Sequence, residues 1–419
     1  MKRTSSYRQW FIVAALVLLL MGAESVAMHR VYATRVQGTA DFFTRWYGAT
    51  QLMLHHRNPY DRAIDLEMQQ LMFGRLSRPD EDQVNFAYPL YTVYLFWPLA
   101  FVPYAWAQAI WMVVLQFALL GGTTLLFGLA RWRVPPWMFV VTLFWGLFFY
   151  SSTRAIMLGQ FSIIVFLCLT VSLWGLVKGH NRLAGAVLSL TTVKPQMVFL
   201  IIPFMLLWAW RQKRWSFIIA FGLSMALLLA SSIAWVPDWP LRFYNNLSAY
   251  SGYVGFGSPL ENLTARLAPG PDRWLNPVIT VALAGLLVWL WGLALTRQPE
   301  RFLWTVNWTL LVSNLIVTRS ATTNHVTLYL AIFIIFKRLA LSKWGLRGVV
   351  ILQLAGFVSL WVLFLTTIDT SRGDNFEAVF MHGLLPALLI VYSLLDWRGL
   401  KTLTPTISPP PPDYEPSLS

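Results

Sequence analysis

The chain has 419 residues, of which 57 % are hydrophobic and only 12 % charged, too few charges to cover a soluble globule of this size. Its net charge of +14 does not mark a nucleic-acid binder, because the Lys and Arg fall in short clusters between apolar runs, where they act as membrane-orientation signals. The single cysteine, Cys168, lies inside the run FSIIVFLCLTVSLWGL, which excludes a disulfide and a cysteine-based metal site. The class that remains is an all-α polytopic membrane protein.

Lys2 and Arg3 precede the apolar stretch Phe11–Gly22, and Ser25-Val26-Ala27 resembles a signal-peptidase site. The alternative is an uncleaved first helix over 11–29, favoured by apolar residues that continue through Val26 and Val31. Further apolar segments follow at 104–130, 136–152, 161–177, 183–193, 195–210, 216–236, 277–295, 302–318, 325–340, 347–369 and 378–396. Read as crossings of a hydrocarbon layer roughly 30 Å thick, the twelve segments place both termini inside. Arg131, Arg133, Lys178, Arg182, Arg211, Lys213, Arg214, Lys337 and Arg338 then lie inside, and most acids outside.

Tyr88–Pro103 is apolar but short, and it holds Pro89, Pro98 and Pro103. A crossing there would send Arg131, Arg133, Lys178 and Arg182 outside, so the segment is expected to be an interfacial or re-entrant helix on the outer face. Residues 1–401 thus form one membrane domain with two sizeable outer segments, 30–103 and 237–276. The tail 402–419, with Pro409 to Pro412 in succession, is expected to be a disordered inner extension. The chain shows no internal repeat and no glycine-rich nucleotide loop.

With this topology, polar residues that are costly near a membrane recur at the outer helix ends. Asp41 opens ADFFTRWYGA, Gln160 sits in MLGQFS, Lys194 sits beside Pro195 in TTVKPQM, and Arg319 and His325 bracket RSATTNH. Ionisable groups at membrane depth must face a cavity or a partner, which makes them functional candidates. Arg319 also suits a headgroup anchor, and His325 an ordinary helix start. Around Asp41, Phe42, Phe43, Trp46, Tyr47, Leu52 and Leu54 interleave with Arg45, Gln51 and His55, the pattern of an amphipathic helix lying on a membrane surface. There a carboxylate can take a proton from an attacking hydroxyl, while Lys194, Arg319 and His325 neutralise a phosphate leaving group. One carboxylate with several cations suits group transfer from a lipid phosphate.

The ordered segments ADFFTRWYGATQLMLHHRNPYD, FAYPLYTVYLFWPLAFVPYAWAQAIW, LGQFSIIVFLCL, GHNRLAGAVLSLTTVKPQMVFLIIP and NHVTLYL resemble glycosyltransferase family 87. These are the polyprenyl-phosphate-mannose-dependent α-(1→2)-mannosyltransferases, a family of the GT-C superfamily. Leu90 stands where the family's second proline is common, and Val326 where an aromatic is. The resemblance implies a GT-C-like bundle of about twelve helices, with an interfacial helix pair in the first outer loop and an inverting reaction needing no metal or other cofactor. It implies Asp41 as general base and Lys194 and His325 as donor-phosphate or active-site groups. The candidate catalytic residues are therefore Asp41 and His325, and the candidate substrate-binding residues Lys194, Gln160, Arg319 and Tyr88. The implied partners are a polyprenyl-phosphate-linked sugar donor, a glycan or glycolipid acceptor and membrane lipid, at the outer face of a bacterial inner membrane. A multi-pass transporter or flippase is the alternative; it predicts two related halves with sites near the midplane, and no such symmetry is visible.

Overall fold

The computed structural model describes residues 2–36, 40–78, 83–253, 257–318, 320–368 and 377–406, and every regular element among them is helical. The proline-rich stretch Pro409–Pro412 lies outside the described residues. Each apolar segment read from sequence coincides with a helix or a pair of short ones. Five helices are long and apolar enough to cross a membrane: Phe11–Ala33, Tyr104–Leu129, Trp215–Trp235, Asp272–Arg297 and Gly345–Thr367. Counting the bent pairs Pro136–Phe148 with Tyr150–Met157 (54°) and Met381–Leu395 with Trp397–Leu403 (94°) as single spans gives up to seven.

By length and composition, then, the described residues hold five to seven candidate spans rather than twelve. The difference lies in broken segments. The expected crossings at 183–193 and 195–210 are a helix Asn181–Ser189, two 3-10 turns, Leu190–Val193 and Pro195–Met197, and a helix Ile201–Arg211. The break falls at Lys194, which has φ −133° and ψ 75°, because a following proline drives a residue out of the α region. Ile201–Arg211 has 11 residues, which at about 1.5 Å per residue rises roughly half the thickness of the hydrocarbon layer. The Tyr88–Pro103 stretch is likewise broken, into Leu90–Thr92, Val93–Phe96 and Trp97–Phe101. The long helices expose apolar surface; Ile219, Leu223 and Leu227 of Trp215–Trp235 are 56 %, 68 % and 70 % exposed, a face that lipid accommodates and water penalises.

The chain folds as two compact units, each assembled from separate stretches of sequence. The first comprises Met1–Ala118, Ile156–Gln160 and Ser232–Tyr253. At its heart is the helix Ala40–His55, which buries Phe42, Arg45, Ala49 and Leu52, positions that fall on one stripe of a 3.6-residue helix. The polar Arg45 lies on this buried stripe with the apolar residues. Phe42 packs among Phe96, Tyr104 and Trp111, and the Trp46 indole donates to the Leu99 carbonyl at 3.0 Å. The helix Arg62–Phe73 closes the other side, with Ile64 and Met68 clustered with Val84 against Phe43 and Tyr47.

The second unit comprises Leu119–Ala155, Phe161–Ser231 and Val254–Ser419. Its centre is the helix Phe302–Ile316, in which every residue from Phe302 to Leu315 is buried. That helix is packed by Asp272–Gly292, Met381–Leu395 and Ile201–Arg211. Nearby, Ser162–Lys178 packs closely on Asn181–Ser189, the Ser172 hydroxyl donating to the Ala184 carbonyl at 2.8 Å. Arg214, 1 % exposed, caps this pair by donating to the Leu176 carbonyl and to Asn181 Oδ1, both at 3.1 Å. The turns Leu190–Val193 and Thr322–Leu328 both pack against Ser162–Lys178, which positions Lys194 and His325.

Candidate active site

In the first unit the chemistry gathers on Arg45, whose side chain is 0 % exposed. Its Nη1 donates to the Gly159 carbonyl at 2.9 Å. Its Nη2 donates to Asp41 Oδ1 and to Gln160 Oε1, each at 3.3 Å, and to the Tyr88 hydroxyl. The guanidinium carbon lies 4.4 Å from the centroid of the Tyr88 ring. Withdrawing a guanidinium from water costs several kcal/mol unless acceptors surround it. Here a carboxylate, an amide, a hydroxyl, a carbonyl and an aromatic face do so.

Each partner is positioned by its own local chemistry. Asp41 is in the first turn of Ala40–His55, where the helix dipole favours a carboxylate, and four residues before Arg45, so both lie on one face. Gly159 has φ +65°, and a Cβ there would sit 2.7 Å from Phe42 Cβ. Only glycine fits, and its carbonyl also accepts from the Trp111 indole at 3.0 Å. The backbone before Tyr88 is held from two sides. The Tyr60 hydroxyl donates to the Tyr88 carbonyl, and Asn246 Nδ2 donates to the Phe86 carbonyl at 3.2 Å. Tyr60 is set by the Asn58-Pro59-Tyr60-Asp61 turn, in which Asn58 Oδ1 accepts from the Tyr60 N–H at 3.0 Å.

The site is thus a carboxylate held on one side by a buried cation and 36 % exposed. Three residues selected from sequence, Asp41, Tyr88 and Gln160, are brought together. Arg45, the residue that joins them, belongs by composition to the polar face, but its register with Phe42, Ala49 and Leu52 places it among the buried residues. Two other acids of the outer segment 30–103 are engaged elsewhere. Asp61 accepts from Arg242 at 2.7 Å, and Glu67 accepts from Arg57 at 2.6 Å and from Tyr47 at 2.9 Å.

The second unit holds the other candidates. Lys194 and His325 are 4 % and 2 % exposed. Arg319 lies outside the described residues. His325 Nε2 is 3.0 Å from the His382 carbonyl; a carbonyl only accepts, so this nitrogen carries the hydrogen. His382 Nε2 in turn lies 3.1 Å from Glu377 Oε1. Glu377 also accepts from the Tyr150 hydroxyl and from the Thr322 hydroxyl, at 2.8 Å to Oε1 and 2.7 Å to Oε2. Burial alone would raise the Glu377 carboxyl; the His382 imidazole, with the Tyr150 and Thr322 hydroxyls, outweighs it and holds the carboxyl at about 2. Tyr150, Glu377 and His382 carry no local sequence signal, because the cluster joins segments far apart in the chain.

A buried cation steadying an accessible carboxylate, in a chain with helices apolar enough to cross a membrane, suits proton abstraction. The chain matches the profile of glycosyltransferase family 87 over residues 86–318, more than half its length. It belongs to glycosyltransferase family 87. No curated protein and no solved structure matches it. As a family 87 member the protein is a membrane glycosyltransferase, an enzyme that uses a sugar donor and an acceptor. The matched stretch includes Tyr88, Gln160 and Lys194; Asp41, Arg45, His325 and Glu377 of this family 87 chain lie outside it.

Proposed function

We propose that this family 87 enzyme transfers a hexose, mannose in the first instance, from a polyprenyl-phosphate donor to a glycan or glycolipid acceptor at the outer face of a bacterial inner membrane. Asp41 is the general base. It takes the proton of an acceptor hydroxyl as that oxygen bonds to the anomeric carbon. The bond from that carbon to the phosphate oxygen breaks, the configuration inverts, and polyprenyl phosphate leaves with the electron pair. Lys194, His325 and Arg319 offset the charge on the departing phosphate, and Tyr88 and Gln160 contact the sugar or acceptor beside Asp41.

The observation that carries this reading is the Asp41 carboxylate, open to solvent yet anchored to Arg45. Anchoring limits the side chain's rotation and so keeps its oxygens aimed for proton abstraction. The basic clusters between apolar runs favour the outer face.

Purified enzyme in nanodiscs, given a panel of polyprenyl-phosphate sugars and envelope lipids, tests it, with released polyprenyl phosphate followed by mass spectrometry. Wild type is expected to turn over one donor, and folded Asp41→Asn to lose roughly 100-fold or more of that rate. Equal rates would remove Asp41 as the base. No release by wild type from donors that bind would turn the assignment toward lipid or solute transport.

A further inference from the structure

We propose that Glu377 is the positioning residue of the His325 turn, a buried carboxylate that ties the start of that turn and the partner of the His325 ring into one frame. The inference rests on the role proposed above for His325.

The turn Thr322–Leu328 is a 3-10 helix, the less well bonded of the common helices and dependent on what holds its ends. Its N-cap is Ala321, which has no side-chain oxygen to satisfy the first N–H groups. Glu377 supplies that function from a distant loop, accepting from the Thr322 N–H at 3.4 Å and from its hydroxyl at 2.8 Å. The same carboxylate accepts from the Tyr150 hydroxyl and from His382 Nε2, the latter at 3.1 Å. It is 11 % exposed, and His382 9 %.

His382 passes the constraint on. Its side chain is held by Glu377 while its backbone carbonyl meets His325 Nε2 at 3.0 Å. With the hydrogen fixed on Nε2, proton exchange on His325 is directed to Nδ1. Glu377 therefore restrains both the backbone that carries His325 and the carbonyl that selects its tautomer. Removing the charge leaves donors from three chain segments competing for a weaker acceptor.

The experiment uses Glu377→Gln and Glu377→Asp in full-length protein in nanodiscs, with 15N-histidine spectra and steady-state kinetics on the donor that wild type turns over. Thr322→Val, which deletes one donor and keeps the shape, serves as a milder second variant. In wild type, His325 is expected to show one tautomer, hydrogen on Nε2. In Glu377→Gln or Thr322→Val a second tautomer appears, and kcat falls roughly 10- to 100-fold while the donor KM moves little. Glu377→Asp restores part of the loss. A single unchanged tautomer with wild-type kcat in both Glu377→Gln and Thr322→Val would overturn the inference. So would a change confined to KM. Should wild type turn over no donor, the assigned reaction fails, and the tautomer spectra alone still decide whether Glu377 sets the His325 ring.

Discussion

Arg45 shows how much one side chain organises here. Its planar fork reaches Asp41, Gln160, Tyr88 and the Gly159 carbonyl from two nitrogens, and an ammonium cannot reproduce that geometry. Arg45→Lys is expected to keep the fold but lower turnover roughly 10-fold or more, since Asp41 loses its fixed orientation. Arg45→Met is expected to cost about 3 kcal/mol, the low end for removing one member of a buried pair, because Asp41 is partly exposed. Thermal unfolding in detergent and donor turnover, measured on both variants, separate the two effects. Asp41, Tyr88 and Gln160 are legible in sequence as polar residues at apolar borders. Their convergence is not, because it depends on a glycine turn arriving from residues 156–160.

Among the elements, the helix Arg62–Phe73 buries a carboxyl group. Asp65 is 5 % exposed, its Oδ1 has no hydrogen-bond partner, and the Arg62 guanidinium lies 3.8 Å away. Burial pushes its carboxyl up to about 7, against smaller lowering effects from Arg62 and the Phe86 backbone. The folded form therefore binds this proton more tightly than the unfolded chain, whose carboxyl titrates near 4. Stability from this group is complete below about pH 4 and is lost as pH rises through about 7. Asp65→Asn is expected to abolish that decline, so wild type and variant should diverge in melting temperature between pH 4 and 8 and run parallel below it. Parallel curves throughout would show the carboxyl to be ionised in the fold. The Asn58-Pro59-Tyr60-Asp61 turn starts this helix, and Gly74 ends it at φ +68°. That Ile64 and Met68 would carry Asp65 into the core beside Val84 is a matter of packing.

For the whole molecule, the proposed outer-face site requires one orientation, the one that the placement of Lys and Arg favours. With Cys168 replaced by Ala, single cysteines at Leu76 and Ala265 are expected to react with an impermeant maleimide in intact cells. Cysteines at Arg211 and Lys343 should react only after permeabilisation. All four positions are exposed. Labelling of Arg211→Cys from outside would overturn the orientation and the outer-face assignment with it.

Apolar runs bounded by Lys and Arg determine by themselves that the chain is helical and suited to a membrane, because hydration of side chains and hydrogen bonding within a segment are local costs. The same runs do not fix how many helices cross: twelve segments are apolar, and five to seven candidate spans are long enough among the described residues. An apolar run does not say whether it is covered by lipid or by protein, and Phe302–Ile316 and Ser162–Lys178 are largely buried inside their unit. Only the tertiary structure decides which polar groups share acceptors. Arg45 with Gln160, and Glu377 with Tyr150, are pairs 115 and 227 residues apart. Their meeting depends on how separate helices pack, which no local pattern encodes.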